Sequence, residues 1–222
     1  MRREGTLEEI SDGKLYTLND MVKADCQDCK GCSDCCKGMG DTVVLDPLDI
    51  HRMAVNMKKT PERLLAEDVQ LSVIDGNILP HLKMEGEEEA CIFLNKEGRC
   101  TIHSFRPGIC RLFPLGRFYE NGSFQYFLQV HECKKTNRSK IKVKKWIDTP
   151  DVKNYEEFVN NWHYLLKDVQ SVIQSSENEE LIRNLNLYIL NRFYVKPYDT
   201  ACDFYKQFNE RMVEAKVLLS LE

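Results

Sequence analysis

The chain has 222 residues, enough for one domain or one domain with a helical extension, and enough to bury a core without covalent staples. Charged residues make up 30% and the net charge is −4, so the molecule as a whole offers no bulk attraction to nucleic acid or anionic lipid. The first 25 residues lack the apolar stretch of a secretory signal, and no segment approaches the ~18 consecutive apolar residues of a membrane span, so a cytoplasmic, membrane-free protein is expected.

In chain order, residues 14–18 suit a short strand. Residues 26–36 are small and polar between their thiols (Gly31, Ser33, Asp34) and suit a loop that can wrap an ion. Residues 42–45 form a short apolar strand candidate. Asp46-Pro47-Leu48-Asp49 is a helix start, with Asp46 as N-cap, Pro47 in the first turn and Asp49 complementing the dipole; this helix should run to about Met57. Thr60-Pro61-Glu62 repeats the signal for a second helix ending near Val69. Asp75-Gly76-Asn77 is a turn, and residues 86–89 an acidic loop. Residues 91–103 read as a hairpin turning at Asn95–Gly98, which would set Cys91 beside Cys100. Asn121-Gly122 marks a second hairpin over residues 117–130. From residue 154 the apolar period becomes helical, through Tyr155, Phe158, Val159, Trp162, Leu165 and Val169, with further helices over 181–194 and 201–219. The pattern predicts an α+β protein: a small cysteine-rich, metal-centred module with short helices and hairpins over residues 1–145, followed by a C-terminal helical segment over 146–222.

Ten cysteines carry the chemistry. In a reducing compartment, clustered thiols serve metals or catalysis more often than disulfides. Five of them lie in residues 26–36, where Cys26, Cys29, Cys32, Cys35 and Cys36 read C-x2-C-x2-C-x2-C-C. Thiolate is the soft donor preferred by zinc and by iron–sulfur clusters, and C-x2-C lets two sulfurs reach one metal from a single turn. Cys91, Cys100, Cys110 and Cys133 supply more distant donors, enough for two metal sites. Cys26, Cys29, Cys32 and Cys36 also have the C-x2-C-x2-C-x3-C spacing of bacterial ferredoxins, with Lys37 where those have proline. Cys202, alone on an apolar helical stretch, reads as a core thiol.

Three ordered signatures resemble a known family. They are Cys29-Lys-Gly-Cys32-Ser-Asp-Cys35-Cys36, then Cys91-Ile-Phe-Leu with Gly98-Arg-Cys100-Thr-Ile-His103, then Arg106-Pro107-Gly-Ile-Cys110-Arg111-Leu-Phe113-Pro114. Together they are similar to the CxxCxxCC, or YkgJ-type, cysteine-cluster proteins, bacterial proteins described as zinc- or iron-chelating. The resemblance covers roughly residues 29–117. It implies Cys29, Cys32, Cys35, Cys36, Cys91, Cys100 and Cys110 as ligands. It also implies a distant likeness to flagellin lysine N-methylases, which are associated with an iron–sulfur cluster. Cys26 lies outside the motif, and Cys133 is a plausible eighth ligand.

Around the thiols, His103 suits a hydrogen-bonding role beside the sulfurs more than ligation. Arg106 and Arg111 flank Cys110 and could offset thiolate charge or bind an anionic cofactor or substrate. Residues 134–145 hold seven basic side chains and no acid, but without interleaved aromatics they read as a solvated strand face with Ile141 and Val143 turned inward, so nucleic acid is not an expected partner. The functional expectation is a metalloprotein binding zinc or an iron–sulfur cluster. Its rivals are an iron–sulfur-dependent protein-modifying enzyme, for which alone S-adenosylmethionine would be a cofactor, and a zinc-stabilised module for an unknown protein partner.

Overall fold

The computed structural model describes residues 6–27 and 32–219. Along the chain, the first half holds α1 (Leu7–Ile10), β1 (Ser11–Tyr16), β2 (Met21–Asp25), α2 (Pro47–Met57), α3 (Pro61–Glu67), β3 (Val69–Ile74), β4 (Asn77–Leu82), β5 (Met84–Glu85) and β6 (Ala90–Cys91). Then follow α4 (Gly108–Leu112), β7 (Leu115–Glu120), β8 (Ser123–Gln129), β9 (Ser139–Lys142), α5 (Val143–Ile147), α6 (Val152–Ser175), α7 (Glu179–Ile189) and α8 (Phe204–Leu218). Helices and small antiparallel sheets coexist, as an α+β chain requires. Among the described residues no helix is long and apolar enough to cross a membrane.

The chain forms two compact units: Met1–Val43 with Met84–Val152, and Val44–Lys83 with Lys153–Glu222. The boundary drawn from the sequence at residue 145 is a single cut along the chain; the compact units are interleaved, and residues 44–83 pack with the C-terminal helices.

The first unit is built on a three-stranded sheet in the order β1-β8-β7, with β2 and β9 paired beside it. The β7–β8 hairpin turns at Asn121 and Gly122, both at positive φ, the type I′ geometry that Asn-Gly favours. Gly116 in β7 pairs with Phe127 in β8, and the ring covers the glycine so closely that a Cβ there would stand 2.3 Å from Phe127 Cζ. Alanine is ordinarily better than glycine in a strand, but here it must displace a buried ring. Gly116→Ala should therefore destabilise the protein by roughly 1–3 kcal/mol, read as a lower urea midpoint at unchanged slope; an unchanged or raised midpoint would show that the ring moves freely.

The second unit follows the capping signals closely. Asp46 accepts from the Asp49 amide at 2.8 Å and Asp49 returns the bond, a capping box that starts α2 where expected. Thr60 caps α3 by accepting from the Arg63 amide at 3.3 Å. Asp75 and Gly76, both at positive φ, turn the β3–β4 hairpin. Asn186 of α7 clamps that turn, accepting from Ile78 N at 2.6 Å and donating to Gly76 O at 3.2 Å. A π-helical stretch, Leu190–Val195, extends α7, and α6 and α8 bury the aromatic face anticipated from the sequence.

Four expectations change. Residues 42–45 form no strand; Val44 makes only an isolated bridge to His81. The hairpin over 91–103 shortens to one bridge, Leu94 with Cys100, because the chain turns at once after β6, with Leu94 N bonded to Cys91 O at 2.8 Å. The basic strand ends at Lys142, since Val143 and Ile147 bury themselves from a helical turn, α5. Cys202 is exposed rather than core. Asp203 caps α8 through the Lys206 amide at 2.8 Å, which leaves Cys202 in the preceding turn.

Candidate metal centre

The described part of the cysteine loop, from Cys32 onward, is held within the first unit. Ser33 O accepts from Cys36 N at 2.9 Å, closing a 3-10 turn over Asp34–Cys36 that carries the adjacent thiols. Beyond it, Lys37 bridges to Ala90 of β6, Gly38 N donates to Glu89 O at 3.0 Å, and Lys37 Nζ meets Glu88 at 2.5 Å. The run is thus stitched alongside β6, whose last residue is Cys91. The 95–99 turn, closed by Asn95 N to Arg99 O at 2.9 Å, returns the chain to Cys100.

One group of thiols results. Cys35 is hydrogen-bonded to Cys36 and interacts electrostatically with Cys91 and Cys100. The bond to Cys36, then burial, hold the Cys35 thiol far above its ordinary value. Burial first, and the neighbouring thiols second, push Cys91 up. Burial also raises Cys100, against the opposing pull of the Arg106 guanidinium. The Arg106 guanidinium acts on both Cys35 and Cys100, and Arg99 adds a smaller pull on Cys100. Arg106 Nη1 bonds His103 Nε2 at 2.8 Å, while its buried Nε has no partner. Because guanidinium only donates, the His103 Nε2 lone pair is turned to Arg106.

A second group lines a small cavity of about 20 Å³: Cys26, Cys32, Cys35 and Cys133, with Asp34, Glu132, Phe113 and Pro114. Cys32 donates to Asp34 Oδ2 at 3.4 Å, and Lys134 Nζ lies 3.8 Å from Asp34 Oδ1. The Asp34 amide favours a Cys32 thiolate, but burial and the Asp34 carboxylate outweigh it and raise the thiol. Asp34 and Lys134 were not singled out in the sequence; the signal for Asp34 was its place within the motif.

Arg111 also ties down main chain. It donates to the main-chain carbonyls of Arg106 at 3.3 Å and Asp148 at 3.2 Å, and to Ser104, so it staples the loop around α4. Trp146 adds bonds to Leu112 O and Phe113 O at 3.3 and 3.2 Å. Cys110 sits on α4, half-buried. Cys29 lies outside the described residues.

Among the described residues, no three histidine, cysteine or acidic side chains stand at distances that would hold one metal ion. In kind, however, the donors suit a soft cation. Crowded, buried thiols raise one another's pKa only while no positive ion sits among them, and a bound metal inverts that balance. The CxxCxxCC family model, described as "Putative zinc- or iron-chelating domain", matches residues 28–139, half of the chain. No curated protein and no solved structure matches.

Proposed function

This chain belongs to the CxxCxxCC family, and on that premise we propose that it is a thiolate metalloprotein whose zinc or iron centre is held by Cys29, Cys32, Cys35, Cys36, Cys91, Cys100 and Cys110. Cys133 and Cys26 act as additional donors on the Cys32 side. The observation that carries this reading is the meeting of Cys35, Cys36, Cys91 and Cys100 beside Arg106, from two segments far apart in sequence. The grouping of Cys26, Cys32 and Cys133 on the other side of Cys35 supports two metal positions sharing the Cys35–Cys36 turn, since adjacent thiolates can face different ions. Loading such a site requires the thiols to lose their protons and draw together, so metal uptake is coupled to local ordering.

An all-thiolate shell fits a structural or electron-transferring centre, because catalytic zinc keeps an open position. Arg106 offsets the excess negative charge such a shell carries. Anaerobic purification followed by metal and sulfide analysis is the test. The expected result is stoichiometric metal: colourless protein with zinc, or brown protein with iron and sulfide. Folded protein with free thiols that takes up neither zinc nor iron and sulfide on reconstitution would overturn the proposal.

A further inference from the structure

In the second unit, and among the described residues, β3 pairs with β4 alone, in unbroken antiparallel register from Val69 opposite Leu82 to Ile74 opposite Asn77. Leu71 stands opposite Pro80, which has no N–H to give, and Pro80 O accepts from Leu45 N at 2.8 Å on the far side of β4. Val73 stands opposite Ile78, whose N–H is also turned away, to Asn186 Oδ1 at 2.6 Å. These are the non-hydrogen-bonded pairs of the ladder, so the N–H and C=O groups of Leu71 and Val73 point outward from the free edge of β3. Among the described residues nothing bonds them.

That edge lacks the usual protection. Val69–Ile74 reads Val-Gln-Leu-Ser-Val-Ile, with no charge, no proline and no bulge. Val69 and Ile74 anchor its ends by burial, while Leu71 is 45% and Val73 70% exposed on one face. An uncharged apolar edge with open backbone groups invites a further strand, and proteins normally block it. The acids in the flanking chain lie outside the strand. Glu67 and Asp68 precede it and are both paired with Lys59, Glu67 also with Arg63, and Asp75 lies in the turn that follows it.

We infer that this edge is completed by a second copy of the chain, β3 pairing antiparallel with β3 about a two-fold axis at Ser72. The chemistry favours a copy over a different partner: two-fold pairing sets a strand against itself, which a charged edge would resist and this one does not. In that register Leu71 of each copy faces Val73 of the other, so the outward N–H and C=O groups are all satisfied and the exposed side chains cover one another. Ser72 meets its own copy at the closer, non-hydrogen-bonded spacing, where a small side chain fits. Asp75 of one copy comes opposite Val69 of the other, beside an Asp68 already paired with Lys59. The combined sheet, in the order β4-β3-β3-β4, stops there, because the far edge of β4 is taken by Leu45 and Asn186. A contact this short lies at the small end of specific interfaces, so the dimer is reversible and concentration-dependent. The inference is independent of the thiol centre and stands whether or not a metal binds there.

Sedimentation equilibrium of the full chain as purified is the test, run as a concentration series under reducing conditions that prevent a disulfide through the exposed Cys202. A reversible monomer–dimer equilibrium with no larger species is expected. Leu71→Lys and Val73→Glu, both at exposed positions, should each keep the fold by circular dichroism and weaken self-association by about tenfold or more, since each sets a charge against an apolar side chain. Mixed in equal amounts, the two variants should recover association, because the register brings the new ammonium of one against the new carboxylate of the other. A chain that stays monomeric at every concentration, assembly beyond the dimer, undiminished association in Val73→Glu, or no gain on mixing would each overturn the inference. If Leu71→Lys fails to fold, Val73→Glu alone decides.

Discussion

Cys35→Ser is expected to cost more bound metal than any other single cysteine change, and to leave the first unit poorly folded. Cys35 is the thiol common to both groups: it interacts with Cys36, Cys91 and Cys100, and it lines the cavity with Cys26, Cys32 and Cys133. Serine keeps the shape but offers an alcohol that does not ionise as a thiol does, and soft metals bind it weakly. The apparent binding free energy of a structural zinc is about 10–16 kcal/mol and counts as folding free energy, so a change that empties the site removes a term as large as the whole margin of a small domain. Metal analysis together with urea unfolding monitored by circular dichroism measures both consequences. Cys133→Ser removes a donor from one group only and should retain part of the metal. Equal metal content in Cys35→Ser and the unaltered protein would remove Cys35 from the ligand set and break the two-group reading.

The thiols illustrate what the sequence makes legible. Spacing marks the Cys29–Cys36 motif as a ligand loop, because polar and glycine neighbours are unsuited to a core. What spacing cannot provide is how the distant thiols divide. That depends on Lys37 pairing with Ala90 and Gly38 with Glu89, long-range backbone bonds that carry no local pattern. The two arginines show the same limit. Both flank Cys110 in sequence, yet Arg106 acts on the Cys35 and Cys100 sulfurs and Arg111 donates to main-chain carbonyls, and nothing in their neighbours foretells those bonds.

Local chemistry was legible wherever a local rule governs. The capping box at Asp46, the Thr60 cap and the Asn121-Gly122 turn appear where their residues place them. Errors came where a tertiary demand overrode a plausible pattern. Val143 and Ile147 reach full burial from a helical turn, which a reading of alternating strand residues could not anticipate. Cys202 lies one residue before the Asp203 cap, outside the helix that the apolar stretch suggests, and so is exposed. The largest departure is topological. Residues 44–83 fold with the C-terminal helices, joined by bonds that span more than a hundred positions, such as Tyr194 Oη to Leu45 O at 3.0 Å and Ile78 N to Asn186 Oδ1 at 2.6 Å. Asn186 looks like an ordinary polar residue on an amphipathic helix until its partners are known.

Phe208→Ala should be the most damaging single truncation in the second unit. Phe208 lies on α8 with 0% exposure. Its ring centre stands 4.6 Å from Phe158, 5.8 Å from Phe193, 6.1 Å from Phe204 and 6.2 Å from Trp162. It therefore joins α6, the π-helical stretch after α7, and α8 in one aromatic cluster. Two of these pairs, with Phe158 and Trp162, are edge-on, the arrangement that ring quadrupoles favour, so the loss includes specific geometry as well as area. Large neighbouring rings cannot collapse into the space without leaving their rotamers, and a cavity persists. The expected cost is about 3–5 kcal/mol, a large part of a typical folding margin. A lowered urea midpoint with an unchanged slope would register it. Val217→Ala is the matched control: the side chain lies on the same helix but is 76% exposed, so its change should stay within about 0.5 kcal/mol. The contrast tests whether α8 is anchored by its aromatic side or merely by helix propensity. A cost below about 1 kcal/mol for Phe208→Ala would fall short of a cavity in a packed core, and would mean that α8 does not close the core of this unit.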